Sequence, residues 1–255
     1  MDAASIDPFA VKGDAGVDVF HRVAEPDQRR SRFECIASAD AAGRITAHHA
    51  RARRHPEAVR AALARLDAAP ALHAPMALAD PASYPDPGAL GRPLDLFVYL
   101  DFLRAFAVAE MAIARFADTL DGPGAPPLAD TAAALRLLLD FNRTARARPI
   151  CEAAWPGLMR RAMAPGAGGR DTAGYALRVM GDLMLRMGEP ARALTAHEAA
   201  LRLGETRFRR RRAIVAAQTV GDGGALQRHL HAFKARWGLP PDLAALAETP
   251  QEARP

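Results

Sequence analysis

The densest charge in the chain is Arg207-Phe208-Arg209-Arg210-Arg211-Arg212. Guanidinium groups make bidentate contacts to phosphates and carboxylates, so such a run admits nucleic acid or an acidic partner. Four consecutive arginines on a helix point nearly all round it, however, and cannot all serve one stripe. The plainer expectation is a solvated or partner-facing helix start whose long stems cover apolar neighbours. His48, His49 and His55 also stand close together among arginines. A zinc site wants histidines in helical register with a carboxylate partner, and this spacing offers neither. His229 and His231 are two residues apart and so lie on different faces of a helix. Glu110 sits in apolar surroundings, where a carboxylate has a raised pKa unless it is paired. Its readings are a general acid and, more plainly, a salt link to an arginine of the next helix or a rim position. No glycine-rich phosphate loop, nucleophile elbow or paired-carboxylate motif occurs. The expectation is therefore a protein with no catalytic site, no metal and no cofactor.

The stretch that would position these groups runs from Asp171 to Gly204. Leu177, Met180, Met184 and Met187 follow the three-and-four spacing of one apolar helix face. Gly181 lies within that face, where glycine costs about 1 kcal/mol of helix propensity relative to Ala. Close approach of a second helix, with the small Ala193 and Ala200 facing it, would justify that cost. Gly188 suits the left-handed end of the first helix and Pro190 the first turn of the second. The spacing predicts a helical hairpin turning at Gly188-Glu189-Pro190, with Asp171 as its N-cap.

These residues resemble a tetratricopeptide repeat: Gly181, Gly188, Ala193 and Ala200 match that motif in order and spacing. His197 departs from it, standing where a large aromatic or aliphatic is usual, and so does Glu205, where a proline usually ends the unit. Gly221-Asp222 repeats the turn 33 residues after Gly188-Glu189, close to the usual ~34. In this second unit Ile214 takes the place of Gly181, and Leu230 and Phe233 fill the second helix. The tail from Phe233 to Leu246 also resembles the end of the bacterial transcriptional activator domain.

The rest of the 255 residues must supply packing partners, because one such unit cannot bury its own apolar face. Aromatics are only 6% of the chain, which favours close-packed helices over sheets. The net charge is +5, with Arg far outnumbering Lys. Cys35 and Cys151 are too few for a disulfide framework. No basic start followed by an apolar run opens the chain, so the cytoplasm is the expected compartment.

Along the chain, 1–77 reads as a partly irregular region. Residues 32–53 fit a short β-hairpin turning at Asp40–Gly43, or a helix, and a clearer helix spans about 56–68. Residues 78–93 are a Pro/Gly-rich linker. Residues 94–247 form a helical repeat-like domain, with helices from Leu94, from about Ala129 to Arg146, and from about Pro149 to Met163. Residues 248–255 are a frayed tail.

The fold class expected is mainly all-α, built of stacked antiparallel hairpins, with a possible short β-hairpin near the N-terminus. The tetratricopeptide resemblance implies a groove lined by the first helix of each unit. On that map Tyr175, Arg178, Asp182 and Arg186 face the groove, joined by Phe208, Arg211 and Gln218. Asp182 is four residues from both Arg178 and Arg186 and would hold them. An arginine-lined groove suits another protein's acidic segment or C-terminal carboxylate. The expected role is a non-catalytic adaptor. The alternatives are a transcription-related regulator acting with nucleic acid or a DNA-bound partner, and an enzyme with an unrecognised helical site.

Overall fold

In the computed structural model the described residues are 6, 8–12, 16–23, 32–68, 93–120, 122, 125–163 and 168–248. They fall into two compact units: residues 1–115 with 137–145, and residues 116–136 with 146–255. The Pro/Gly-rich stretch 78–92 lies outside the described residues.

The first unit is built on a four-stranded antiparallel meander, β1 (Phe9–Lys12), β2 (Val17–Val23), β3 (Arg32–Ala39) and β4 (Ile45–Ala47), in that spatial order. The hairpin β3–β4 turns at Asp40–Gly43 with Gly43 at φ 74°, so the hairpin reading of this stretch holds over the helical one. β1 and β2 lie in the stretch expected to be irregular, and are strand instead. Helices α1 (Ala50–Arg54) and α2 (Pro56–Ala68) follow. Between them and the sheet lie Ala10, Val19, Ile36, Ala37, Ala52, Val59 and Ala62, all buried. The opposite sheet face packs Val11, Phe20, Phe33 and Cys35 against Phe102, Leu103, Phe106 and Ala109 of α3 (Pro93–Leu120) and against Phe141. Six of the ten phenylalanines meet there in tilted and edge-on contacts 4.6–6.3 Å apart, geometries that the ring quadrupole favours. The pairing slips where Val19 faces Ala37 and Phe20 faces Cys35, leaving Ile36 as the extra residue. That bulge lets Ile36 and Ala37, neighbours in sequence, both enter the same core.

The division between units falls within α3, within α4 (Leu128–Asp140) and again between Ala145 and Arg146. α4 ends earlier than its apolar period suggests because Asn142 takes the left-handed conformation, φ 52°. Asparagine tolerates that region better than other residues with a Cβ. α5 (Thr144–Met163) then starts ahead of Pro149, which lies inside it together with Pro156.

The second unit carries five further helices: α6 (Arg170–Arg186), α7 (Pro190–Leu203), α8 (Arg207–Val220), α9 (Gly223–Trp237) and α10 (Pro241–Glu248). Two turns are built alike. Gly188 has φ 75° and Glu189 N donates to Met184 O at 2.8 Å; Gly221 has φ 77° and Asp222 N donates to Ala217 O at 3.1 Å. In each the left-handed glycine closes the bond that ends a helix, and the next helix starts within two residues. The chain is thus mainly α-helical with a small N-terminal antiparallel sheet. No helix among the described residues is long and apolar enough to cross a membrane.

Two expectations change. Asp171 lies in the first turn of α6, whose N-cap is Gly169 at φ 71°. Gly181 does allow close approach, but to a side chain. A Cβ there would stand 2.6–2.9 Å from three ring atoms of His197, which is fully buried. Ala193 and Ala200 are also fully buried in α7. The residue that departs from the repeat pattern is the one Gly181 accommodates.

Candidate functional site

α6 is buried from Ala173 to Met184 except at Tyr175. Arg178 and Asp182, which the repeat map places in the groove, are only 7% and 6% exposed. The i,i+4 spacing does bring them together: Arg178 Nη1 donates to Asp182 Oδ2 at 3.0 Å. Asp182 takes another guanidinium from α8, Arg212 Nε donating to Oδ1 at 2.5 Å. Burial works to raise the Asp182 carboxyl, but the charges of Arg212 foremost and of Arg178 hold it below the usual carboxylate range. The Arg178 guanidinium also lies 4.8 Å from the Tyr175 ring centroid and 5.4 Å from that of Phe208. Cation–π contacts of this kind are worth about 0.5–2 kcal/mol, more when water is excluded. Phe208 nonetheless remains 57% exposed. Tyr175, Arg178, Asp182 and Phe208 are therefore one assembly, a locked cation with an aromatic ring bare to solvent. Arg211, on the same helix as Phe208, pairs with Asp242 of α10. Arg186 is in the last turn of α6, and Gln218 is exposed near the end of α8.

His197 completes the buried cluster. Among the described residues neither ring nitrogen makes a hydrogen bond, and Asp182 Oδ1 stands 3.5 Å from Nε2. Burial foremost, with Arg212 and Arg178, pushes the imidazole down to about 4 against the pull of Asp182. It is neutral at pH 7.

The arginine run is used differently from either sequence reading. Because successive residues point about 100° apart, the run reaches several neighbouring elements. Arg209 donates to the carbonyls of Gly204 at 2.7 Å and Asp171 at 3.3 Å. Arg210 donates to Glu205 and to His229 Nδ1 at 2.7 Å. Arg211 goes to α10, Arg212 to α6, and Arg207 lies 5.9 Å over the Phe233 ring of α9. His229 in turn donates from Nε2 to Glu198 at 3.2 Å, since its Nδ1 is the acceptor. The run is a set of ties from α8 to the elements around it.

A second polar cluster, unforeseen from the sequence, lies in the first unit. Ser38 Oγ donates to Asp18 Oδ1 at 2.7 Å and stands 2.8 Å from His48 Nε2. Asn142 Nδ2 donates to Asp18 Oδ1 at 2.7 Å and Ser38 Oγ at 3.2 Å. These are the residue types of a nucleophile and its base, so the protons decide. The single hydroxyl proton of Ser38 goes to Asp18, which leaves His48 Nε2 as a donor rather than a waiting base. The cluster ties the α4–α5 turn to the sheet. The other histidines of the group are spoken for too: His49 Nδ1 accepts from Arg51 N at 3.1 Å and His55 ends α1. Glu110 accepts from Arg143 Nε at 2.7 Å, the salt link of the plainer reading.

Compared with known proteins, the chain matches no family model, and no curated protein or solved structure is significantly similar to it. The fold and these sites are thus the whole basis for a functional reading.

Proposed function

We propose that the chain is a non-catalytic adaptor, tetratricopeptide-like in its last third, that seats an acidic or C-terminal segment of another protein on α6 and α8. One observation carries this: Phe208 is 57% exposed while it flanks an Arg178 guanidinium fixed by Asp182. An exposed aromatic ring beside a buried arginine, with surface left to be desolvated, is what interface hot spots are made of. Charge supports an acidic occupant. Residues 170–248 hold thirteen Arg and Lys against eight Asp and Glu, a surplus of five that equals the net charge of the whole chain. Such a field raises the encounter rate with acidic surfaces. The two like-built turns 33 residues apart support the repeat-like reading. A nucleic-acid role is less well supported, because the arginines of the run diverge to several neighbouring elements and form no single stripe along which a phosphate backbone could lie.

Arg178 and Asp182 act here as supports beneath the surface, so the contact residues are Tyr175, Phe208, Arg211 and Gln218, with Arg186 at the end of α6. The test is affinity capture with the full chain, with Phe208→Ala/Arg211→Gln, and with Arg51→Glu/Arg53→Glu as control. A protein retained by the first and third but lost by the second, and binding again when purified, is the expected result. Loss in the Arg51/Arg53 variant alone would move the surface to the sheet unit and overturn the proposal.

A further inference from the structure

Part of the basic surplus lies where α6 crosses the start of α8. Three guanidiniums gather there, those of Arg178, Arg209 and Arg212, and two carboxylates answer them. Asp182 takes Arg178 and Arg212. Asp171 favours the Arg209 cation only through space, while burial and Arg178 oppose it and lower its pKa. Among the described residues Arg209 donates to two backbone carbonyls, leaving N–H groups of its five-donor fork to spare. Its guanidinium lies against Gly174, where a Cβ would come within 2.7–2.8 Å of three of its atoms. One turn of α6, Gly174 to Arg178, therefore touches both the Arg209 fork, at Gly174, and the exposed Phe208 ring, through Arg178.

We infer that this crossing is a carboxylate-binding subsite: Arg209 seats a carboxylate of the docked segment while an apolar neighbour on that segment covers Phe208. The inference rests on the proposed docking role of α6 and α8 and names the chemistry of its occupant. A carboxylate would balance the one cation in excess, and its two oxygens match a guanidinium fork. The carboxylate has two sources, an acidic side chain or a chain terminus. The experiment separates them.

Three fluorescein-labelled peptides of alternating polar and apolar residues are titrated with the full chain by fluorescence anisotropy. The first carries Glu and a C-terminal amide, the second Gln and a free C-terminal carboxylate, the third Gln and an amide. Binding of the first or second, with the third weaker by about 30-fold, is expected, and the arm that binds names the source. Phe208→Ala should weaken that arm by a similar factor. Arg209→Gln should do so too, with its melting curve recorded because Arg209 also ties α8 to Gly204. Equal binding of all three peptides, or no effect of Phe208→Ala on the arm that binds, overturns the inference. If affinity capture still depends on Phe208 while the peptides bind alike, the docking surface stands and the carboxylate subsite falls.

Discussion

Replacing Gly181 by Ala should destabilise the protein in one background and stabilise it in another. The new Cβ would stand 2.6 Å from Cε1 of His197, 2.7 Å from Nε2 and 2.9 Å from Nδ1. Ordinary contact begins at 3.4 Å, so a fully buried ring has to retreat by about 0.8 Å into close-packed surroundings. Overpacking of that kind costs about 1–3 kcal/mol, while the exchange of Gly for Ala inside a helix returns about 1 kcal/mol. The net loss expected is about 1 kcal/mol. With His197→Ala already in place the ring is gone, and the same Gly181→Ala change should now stabilise by about 1 kcal/mol. The coupling energy of the cycle is then about 1–3 kcal/mol, within the range for residues in contact. Urea unfolding followed by far-ultraviolet circular dichroism on the four proteins measures it. If Gly181→Ala raises stability equally in both backgrounds, the glycine is not there for the imidazole.

Three further outcomes follow from the same geometry. His197 is neutral in the fold, and its folded pKa of about 4 lies below the ordinary 6.5; its contribution is complete above pH 6.5 and is lost as pH falls toward 4. His197→Leu should therefore shrink the stability difference between pH 7 and pH 4 by about 3 kcal/mol; an unchanged difference would show that the buried ring is not what titrates. Asp182→Asn strands the buried Arg178 guanidinium and should cost about 3–5 kcal/mol, read as a fall in Tm. Asn142→Ala keeps the left-handed φ of 52° while removing the donors to Asp18 and Ser38; a loss of about 1–3 kcal/mol is expected, and Asn142→Gly, free of the backbone strain, should lose less.

What the sequence made legible was local. Gly188 and Gly221 each precede a helix start and follow an apolar period, so both turns could be placed from a dozen residues around them. The i,i+4 spacing likewise gave the Arg178–Asp182 pair. The strands of the first unit were harder to see, because helices cover both sheet faces and the polar alternation of a half-exposed strand is blurred. Phe20 and Val19 are adjacent yet both buried, one on each face. Asn142 carries no mark of its left-handed turn, since the apolar period of α4 runs on to Phe141. The fate of Arg209 to Arg212 could not be read at all: each guanidinium answers a group up to 38 residues away, on elements whose packing is a tertiary fact. The burial of Arg178 and Asp182 was hidden for the same reason. A first helix that lines a groove in a long repeat is enclosed here from Ala173 to Met184 but for Tyr175.

The docking role of α6 and α8 meets its most direct test in site-specific photo-crosslinking in the source cell. A benzophenone amino acid is placed at 208, at 218, and at Arg54 of α1 as control, all exposed positions. One protein joined to the chain from both 208 and 218, and not from 54, is the result expected of a surface that seats a partner across α8. Adducts from 54 alone, or none from 208 under conditions where 54 reacts, would contradict it.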